Sequence, residues 1–310
     1  MKRPFIIDCD TGTDDAIMLA AAVYADEMDI KAVTSCNGNV AENYVTRNNI
    51  DLLEYFGVNI PVASGAKRSI YDREIYEGPT HGKSGLGDVR ITETNGRPVG
   101  EIASELIYEE ALKANGELEI LVTGPFTNIA IAVINHPDLA NLIKHLWFMG
   151  GAVSGGNMNN NAEFNIWVDP IAAHIVLTSG IKAITMIGLD VTLKAIMTRE
   201  DQKELEKAGT KASTFTAEML DFMIKRGEAG GEGAVMHDAL ALAAALYPEC
   251  MKYTDYIMDV EWRGDYTAGH TVVDLHGKSG KKTNVKVATE IDVPSFRRWL
   301  VDAIKRSSER

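Results

Sequence analysis

A run of aspartates close to the N-terminus constrains the fold of this chain more than any other feature. The run lies between a short apolar segment and a long segment rich in Ala, Leu and Met, and it contains Asp8, Asp10, Asp14 and Asp15. Four ionised carboxylates repel one another in a partly desolvated turn unless a cation or several backbone N–H groups neutralise them. The alternative, a helix start without a ligand, uses one or two acids rather than four. We therefore expect a metal site at a strand-to-helix turn, and flexible oxygen donors suit Ca²⁺ better than Mg²⁺.

Apolar periodicity predicts alternating strands and helices through the first part of the chain. Strands are predicted at residues 4–7, 30–35, 118–122, 146–149 and 183–187. Helices are predicted at residues 16–25, 43–55, 101–114, 128–134 and 170–177. This order is typical of an α/β fold, a mostly parallel open sheet of Rossmann-like type with helices on both faces. In such sheets, ligands bind beyond the carboxyl ends of the strands.

The C-terminal third has a different pattern. Helices are predicted at residues 199–225, with a break at Gly209, at 238–246 and at 293–305. Alternating segments at residues 256–262, 271–275 and 284–287 predict a small antiparallel piece. Residues 61–100 form a long connection of weak periodicity, which is typical of functional loops. With no repeat or linker in the sequence, we expect one α/β domain over residues 1–310.

Composition limits the partners and the compartment. The 310 residues are 45% hydrophobic with a formal charge of -13, and no run of Lys and Arg is longer than a pair. This balance argues against nucleic-acid and membrane partners. The N-terminus has too short an apolar segment for a signal peptide, and Cys9, Cys36 and Cys250 have no CxxC spacing. We expect a cytoplasmic protein with reduced thiols.

Two further strand ends and two histidines are candidates to complete the site. Thr123 follows a strand, where its backbone carbonyl is expected to be free, and Asp238 begins a helix beside His237. Alone, Asp238 is better explained as a helix N-terminal acid; together with the N-terminal aspartates it becomes a candidate ligand. His81 lies in a Gly-rich loop, and His237 lies beside an acid at a helix start. Both are therefore candidates for proton transfer near neutral pH, although a lone loop histidine is more often structural.

Amide-rich loops form the third feature. Asn39 follows the second strand, and an Asn-rich run that includes Asn157 follows the fourth. Glu163 and Asn165 come next, on either side of an apolar Phe164. Amides and carboxylates gathered at one sheet edge suit a polyhydroxylated ligand such as a sugar. The alternative for the Asn-rich run is turn formation, because Asn tolerates left-handed backbone.

Taken together, these motifs resemble the inosine-uridine-preferring nucleoside hydrolase family. The matching segments occur in the same order along essentially the whole chain, at residues 8–16, 37–39, 81–85, 123–128, 162–165 and 235–238. The resemblance implies hydrolysis of the N-glycosidic bond of ribonucleosides with a Ca²⁺ cofactor. It implies that the ion is held by Asp10, Asp15, the Thr123 carbonyl and Asp238. Asp10 is also implied as the general base that takes a proton from a water molecule on that ion.

The resemblance implies roles for the remaining matched residues as well. The ribose hydroxyls are expected to be bound by Asp14, Asn39, Asn157, Glu163 and Asn165. His81 and His237 are expected to face the nucleobase, with His237 the better candidate for protonating the departing base. The family also implies a homodimer or a homotetramer.

The substrate preference is less constrained by the resemblance. Studied relatives place tyrosines over the base, in the segment that corresponds to residues 222–232, whereas this chain has Lys225, Arg226 and Glu228 among glycines. A histidine at position 237 resembles the nonspecific and pyrimidine-preferring members.

Two alternative functions remain open at the level of sequence. One is a haloacid-dehalogenase-like, Mg²⁺-dependent phosphatase, although Gly12 stands where its Asp-x-Asp-x-Thr/Val motif needs a hydroxyl or β-branched residue. The other is a noncatalytic nucleoside- or sugar-binding protein. Such a protein has no need for both Asp10 and His237.

Overall fold

An eight-stranded sheet forms the centre of the computed structural model, which describes residues 2–73, 80–231 and 233–309. The strands of the chain are β1 (Arg3–Cys9), β2 (Met28–Ser35), β3 (Val62–Ala63), β4 (Leu118–Val122), β5 (Ile143–Met149), β6 (Ile184–Ile187), β7 (Met251–Tyr256), β8 (Met258–Glu261), β9 (His270–Val273) and β10 (Val285–Ile291). The sheet order is β3-β2-β1-β4-β5-β6-β10-β7, and β8 pairs with β9 in a separate antiparallel sheet. Except for the antiparallel pair β10 and β7, neighbouring strands of the large sheet are parallel.

Helices cover both faces of this sheet. They are α1 (Thr13–Ala22), α2 (Glu42–Tyr55), α3 (Ala103–Ala114), α4 (Thr127–Asn135), α5 (Leu139–Leu142), α6 (Phe164–Val168), α7 (Pro170–Thr178), α8 (Leu189–Thr192), α9 (Arg199–Ala208), α10 (Lys211–Glu228), α11 (His237–Leu246) and α12 (Val293–Lys305), with 3₁₀ turns at Pro248–Cys250 and Arg306–Glu309. The predicted break at Gly209 is confirmed, because this residue ends α9 with a φ of +68°. None of the described helices is long and apolar enough to cross a bilayer.

Alternation along the central strand divides the apolar residues between two cores. In β1, Phe5 and Ile7 pack with α1, α10, α11 and α12, whereas Ile6 packs with α3, α4 and α7 on the other face. Successive strand residues point to opposite faces, so a strand that is covered on both sides must be apolar throughout. The predicted α/β class, with a mostly parallel sheet and a small antiparallel elaboration, is confirmed.

One of the three predicted antiparallel segments belongs elsewhere. Residues 284–287 were expected in one small antiparallel piece with the other two segments. Instead, β10 lies in the large sheet, where it pairs in parallel with β6, through Lys286 and Thr185, and antiparallel with β7. Val285 and Val287 are buried in the second core, and Ala288 is buried in the first. Alternation shows that a segment has two faces but does not identify the strand with which it pairs.

The carboxyl ends of β1, β2, β4 and β5 meet at one edge of the sheet. A three-residue turn joins β1 to α1, and the first residues of α1, α6 and α11 line one cavity at this edge. Within the long connection predicted at residues 61–100, β3 is the one strand in the described part, and residues 74–79 lie outside that part.

Candidate active site

The turn between β1 and α1 is fixed by the aspartates themselves. The backbone N–H of Gly12 donates to Oδ2 of Asp15 at 2.8 Å, so this carboxylate caps the start of α1. Its Oδ1 accepts from the Thr123 hydroxyl at 2.7 Å, which connects α1 to the end of β4. Burial, followed by the charge of Asp14, raises the pKa of Asp15 from 3.8 to about 7.

Three carboxylates come together in front of this turn. Asp14, Asp15 and Asp238 each place an oxygen within 4.8 Å of the others, and all three residues are buried. Burial and then the charge of Asp14 raise the pKa of Asp238 well above its usual range. Helix capping accounts for Asp15 but not for the convergence of all three acids, so the cluster has the donor set of a site for a hard cation.

Asp10 is fully buried next to this cluster. Its Oδ2 accepts the backbone N–H of Asn39 at 2.8 Å, and its buried Oδ1 has no hydrogen-bond partner among the described residues. Burial and then the charge of Asp15 raise the pKa of Asp10 well above its usual range. The close approach of the loop at Gly38 to the Asp10 carboxylate requires glycine, because a Cβ at this position would lie 2.0 Å from Oδ2 of Asp10. The Asn-Gly-Asn spacing was the only sequence signal for this requirement.

Asp8 supports the turn from behind and does not face the cavity. It is fully buried, and its Oδ1 accepts from the Thr34 hydroxyl at 2.5 Å and from Asn128 Nδ2 at 2.8 Å. Burial raises the pKa of Asp8 from 3.8 to about 7. Asn49, which is also fully buried, accepts from the Thr11 hydroxyl. Sequence reasoning missed the supporting role of Asn49, because a polar residue inside a helix pattern carries no signal for a distant loop.

Glu163 and Asn165 are held by the start of α6. The Glu163 carboxylate accepts the backbone N–H groups of Asn165 at 2.9 Å, Gly151 at 2.9 Å and Ile166 at 3.2 Å. Burial nevertheless raises the pKa of Glu163. Asn165 Nδ2 donates to the Thr123 carbonyl at 2.8 Å and to the Met149 carbonyl. The Thr123 carbonyl is therefore engaged, although a carbonyl oxygen has a second lone pair.

The two candidate histidines are oriented by threonines. The backbone N–H of Thr13 donates to Nδ1 of His81 at 3.1 Å, so the neutral ring carries its proton on Nε2. Nδ1 of His237 lies 2.8 Å from the hydroxyl of Thr192, the last residue of α8. Thr192 is fully buried and was not singled out from the sequence. The contact could not be predicted from the sequence, because Thr192 and His237 are 45 positions apart along the chain.

Most of these side chains line a single cavity of about 160 Å³. Of the predicted site residues, it is lined by Asp14, Asn39, His81, Thr123, Asn157, Glu163, Asn165, His237 and Asp238. Asp10 and Asp15 lie behind that wall, and both hydrogen-bond to Asn39. The cavity is therefore acidic and amide-rich on the side of the strand ends.

The other side of the cavity is more apolar and was only partly foreseen. Met223 and Arg226 of α10 line it together with Val235 and Phe164. The other two charged residues of this segment are paired with neighbours: Lys225 lies 2.6 Å from Asp221, and Glu228 lies 3.3 Å from Arg199. Of the three charged residues noted in the sequence, Arg226 is the one in the cavity wall.

Comparison with known proteins decides the family. The family model described as inosine-uridine preferring nucleoside hydrolase matches residues 5–298. This chain belongs to that family. Among nucleoside hydrolases, it is 38% identical over 309 residues to the pyrimidine-specific ribonucleoside hydrolase RihA of Escherichia coli O81 (strain ED1a), covering 98% of this chain and 99% of the relative. It is 36% identical to the non-specific ribonucleoside hydrolase RihC of Shigella boydii serotype 18 (strain CDC 3083-94 / BS512), covering 99% and 100%.

A solved nucleoside hydrolase structure agrees with this assignment. The purine-preferring ribonucleoside hydrolase from Gardnerella vaginalis superposes with a TM-score of 0.92 at 32% identity, covering 99% of this chain and 100% of that one. The resemblance found in the motifs is thus confirmed, as is the prediction of a hydrolase family that acts on N-glycosyl compounds. The three relatives differ in the bases that their names specify, so family membership alone does not define the preference of this chain.

Proposed function

We propose that this protein hydrolyses ribonucleosides to ribose and free base, with a nonspecific or pyrimidine-directed preference. The observation that carries the proposal is one cavity in which Asp14 and Asp238 face Glu163 and Asn165. The first pair belongs to a cluster suited to a cation, and the second pair offers oxygen and amide groups to hydroxyls. The 38% identity to a pyrimidine-specific relative supports the preference.

The donor set fits a calcium ion. Asp10 buries an Oδ1 without a partner among the described residues, and Asp14, Asp15 and Asp238 crowd three carboxylates together. Buried like charges are stable only when they take up protons or bind a cation. We propose that Asp10, Asp15, Asp238 and the Thr123 carbonyl hold the ion, with Asp14 close enough to contribute. When bound, calcium would supply positive charge that acidifies and orients a water molecule.

The residues on the ribose side would act on the developing charge. As the N-glycosidic bond breaks, its electron pair moves to the base nitrogen and positive charge develops on the ribosyl ring. Asp14, Asn39, Glu163 and Asn165 would hold the ribose hydroxyls, and Asn157 would contact the 5′ hydroxyl. Their carboxylate and amide oxygens favour the charged transition state over the neutral ground state.

Proton transfer would complete the reaction at two positions. Asp10 would accept a proton from the attacking water, whose oxygen bonds to the anomeric carbon. His237 would deliver a proton to the departing base, with His81 contacting the base nearby. In the protonated ring, Nδ1 would donate to the Thr192 hydroxyl and the Nε2 proton would be transferred to the base, which leaves a neutral imidazole. The base then departs as a neutral molecule.

The test is ribose release from uridine, cytidine, inosine and adenosine, measured by a reducing-sugar assay with and without EDTA. We expect release that EDTA abolishes and added Ca²⁺ restores. Asp10→Ala should reduce kcat by at least about 10³-fold, roughly the scale of losing a general base. Asp302→Ala, a change at an exposed position of α12, is the matched control. Normal kcat in the Asp10 variant would remove this residue from the mechanism.

The two alternatives raised by the sequence are not favoured. A family match over residues 5–298 leaves no support for a haloacid-dehalogenase-like phosphatase. A noncatalytic binding protein also has no use for Asp10 together with His237 in one site. Cleavage of p-nitrophenyl phosphate without ribose release from any nucleoside would reverse this conclusion.

Three further expectations accompany the proposed function. We propose a cytoplasmic homodimer or homotetramer in which residues 1–310 form one domain. Light scattering coupled to gel filtration would measure the oligomer, and a single calorimetric transition would support the single domain.

A further inference from the structure

Arg226 forms part of the wall of the cavity. It lies near the C-terminal end of α10, and its guanidinium donates to the Thr80 carbonyl and, at 3.2 Å, to the Gly233 carbonyl. Thr80 immediately precedes His81, and Gly233 lies on the segment that leads to His237. One side chain therefore fixes both loops that bear the candidate histidines.

The electrostatic character of Arg226 is distinctive within this cavity. Of the described residues that line it, Arg226 alone carries a fixed positive charge. Met223 of the same helix and Val235, which line the same cavity, are both buried and apolar. A charge beside apolar side chains is less screened than one in water, so its hydrogen bonds gain in strength and selectivity.

The guanidinium has donors left for a ligand. Arginine offers five N–H groups in a rigid plane and accepts no hydrogen bond. Within the described chain, its acceptors are the two carbonyls named above, which require two of the five groups. Because these two bonds fix the plane, the remaining groups have a defined direction.

We propose that Arg226 is a specificity-determining residue that selects nucleobases carrying a carbonyl, rather than an amino group, at the edge that faces it. This inference rests on the proposed function and names its substrate class. Uracil presents an oxygen at position 4 where cytosine has an amino group, and hypoxanthine and adenine differ in the same way at position 6. An N–H donor attracts the carbonyl and opposes the amino group.

The contact strengthens during the reaction. When the glycosidic bond breaks, the electron pair enters the base ring and increases the negative charge on its carbonyl oxygen. A hydrogen bond from Arg226 is then stronger in the transition state than in the bound nucleoside, so it raises kcat and not only affinity. A residue that merely supports the two loops would affect all four nucleosides alike.

Steady-state kinetics with two matched substrate pairs test the inference. We expect the wild-type protein to prefer uridine to cytidine and inosine to adenosine in kcat/KM by about 10- to 100-fold, the range for a hydrogen bond to a charged group. Arg226→Gln should remove most of that preference by lowering the kcat of uridine and inosine. Lys225→Gln, at the exposed neighbouring position paired with Asp221, is the control and should preserve both ratios.

Each outcome of this experiment supports or overturns the inference. Equal losses for all four substrates in Arg226→Gln would assign the residue to loop support alone. Wild-type preference for the amino nucleosides would also refute it. If Arg226→Gln does not fold, Arg226→Lys keeps the charge without the planar fork and should retain only part of the preference. If the wild type releases no ribose from any nucleoside, the proposed function itself fails.

Discussion

Replacing Asp238 by Asn should have opposite effects on stability with and without calcium. Asp238 is buried in a cluster in which three carboxylates place oxygens within 4.8 Å of one another. Asn has nearly the same shape and no charge, so the change removes like-charge repulsion. It also removes one of the proposed ligands. The two consequences can be separated by measuring unfolding in EDTA and in excess Ca²⁺.

The geometry gives the size of the effect without the ion. Two unit charges at that separation repel by roughly 3.5 kcal/mol at an effective dielectric constant of about 20. For a chain of this length, 1 kcal/mol corresponds to roughly 1.5 °C in Tm. In EDTA at about pH 8, Asp15 is ionised because its pKa is about 7. Asp238→Asn should therefore raise Tm by at most roughly 5 °C, and by less where burial keeps a proton on Asp238.

Calcium should reverse this order. At a free concentration of about 1,000 times Kd, an ion that binds only the folded state stabilises it by about 4.1 kcal/mol, or roughly 6 °C in Tm here. Wild-type protein should show this gain, and Asp238→Asn should show little of it because a ligand is missing. Asp302→Asn, at an exposed position, is the control and should respond to calcium as the wild type does.

Differential scanning calorimetry at several calcium concentrations provides the measurement. A lower Tm for Asp238→Asn in EDTA would mean that the cluster is not repulsive and that its carboxylates share a favourable network. An equal gain from calcium in variant and wild type would place the ion elsewhere. Either result would refute the reasoning from charge and distance.

Three other predictions concern pH, the leaving group and the approach to the site. Burial raises the pKa of Asp8 and of Asp15 from 3.8 to about 7, so the folded state holds protons that the unfolded state releases. In EDTA, Tm should therefore fall as pH rises from 4 toward 7. In calcium titrations, the affinity for Ca²⁺ should fall as pH drops below 7, because protons compete with the ion for the carboxylates. His237→Ala should lower kcat on uridine by about 10²-fold or more but affect p-nitrophenyl riboside, whose leaving group needs no proton, far less; equal losses would argue against an acid role. Gly38→Ala would place a Cβ 2.0 Å from Asp10 Oδ2, and it should lower kcat and stability together; unchanged values of both, measured by kinetics and calorimetry, would contradict the close approach of Gly38 to Asp10.

Site residues could be predicted from the sequence where they lie close together along the chain. Strand ends followed by helix starts identified the sheet edge, because parallel strands bring their carboxyl ends together. The Asp-rich turn, Glu163 with Asn165 and the His237-Asp238 pair could each be found from neighbours in the chain. The structure brings the predicted residues to one cavity or to the layer directly behind it. Their individual roles as ligands, acid and base stay predictions.

Contacts between distant segments could not be predicted in the same way. Periodicity assigns a strand to a face but does not choose its neighbour, so the place of β10 in the large sheet was missed. The Asn165 bond to the Thr123 carbonyl joins residues separated by 42 positions, and the Arg226 bond to Thr80 spans 146. Side-chain direction also matters within the turn, where Asp14, rather than Asp10, joins the closest group of carboxylates.

The way in which the fold tolerates these acids argues for a cation more strongly than their number does. Asp14 and Asp15 lie in the first turn of α1, and Asp238 lies in the first turn of α11, so two helix N-termini face the cluster. Each helix end stabilises a nearby carboxylate by about 0.3–1 kcal/mol, and by about 2 kcal/mol in favourable buried settings. Each pair of charges at the observed separation costs roughly 3.5 kcal/mol, and three carboxylates form three such pairs. The helix dipoles cannot balance this repulsion, so the cluster must either take up protons or bind a cation. The remaining way to keep the cluster ionised and folded is to bind a cation, for which we propose the carboxylate oxygens of Asp10, Asp15 and Asp238 as ligands, with Asp14 close by.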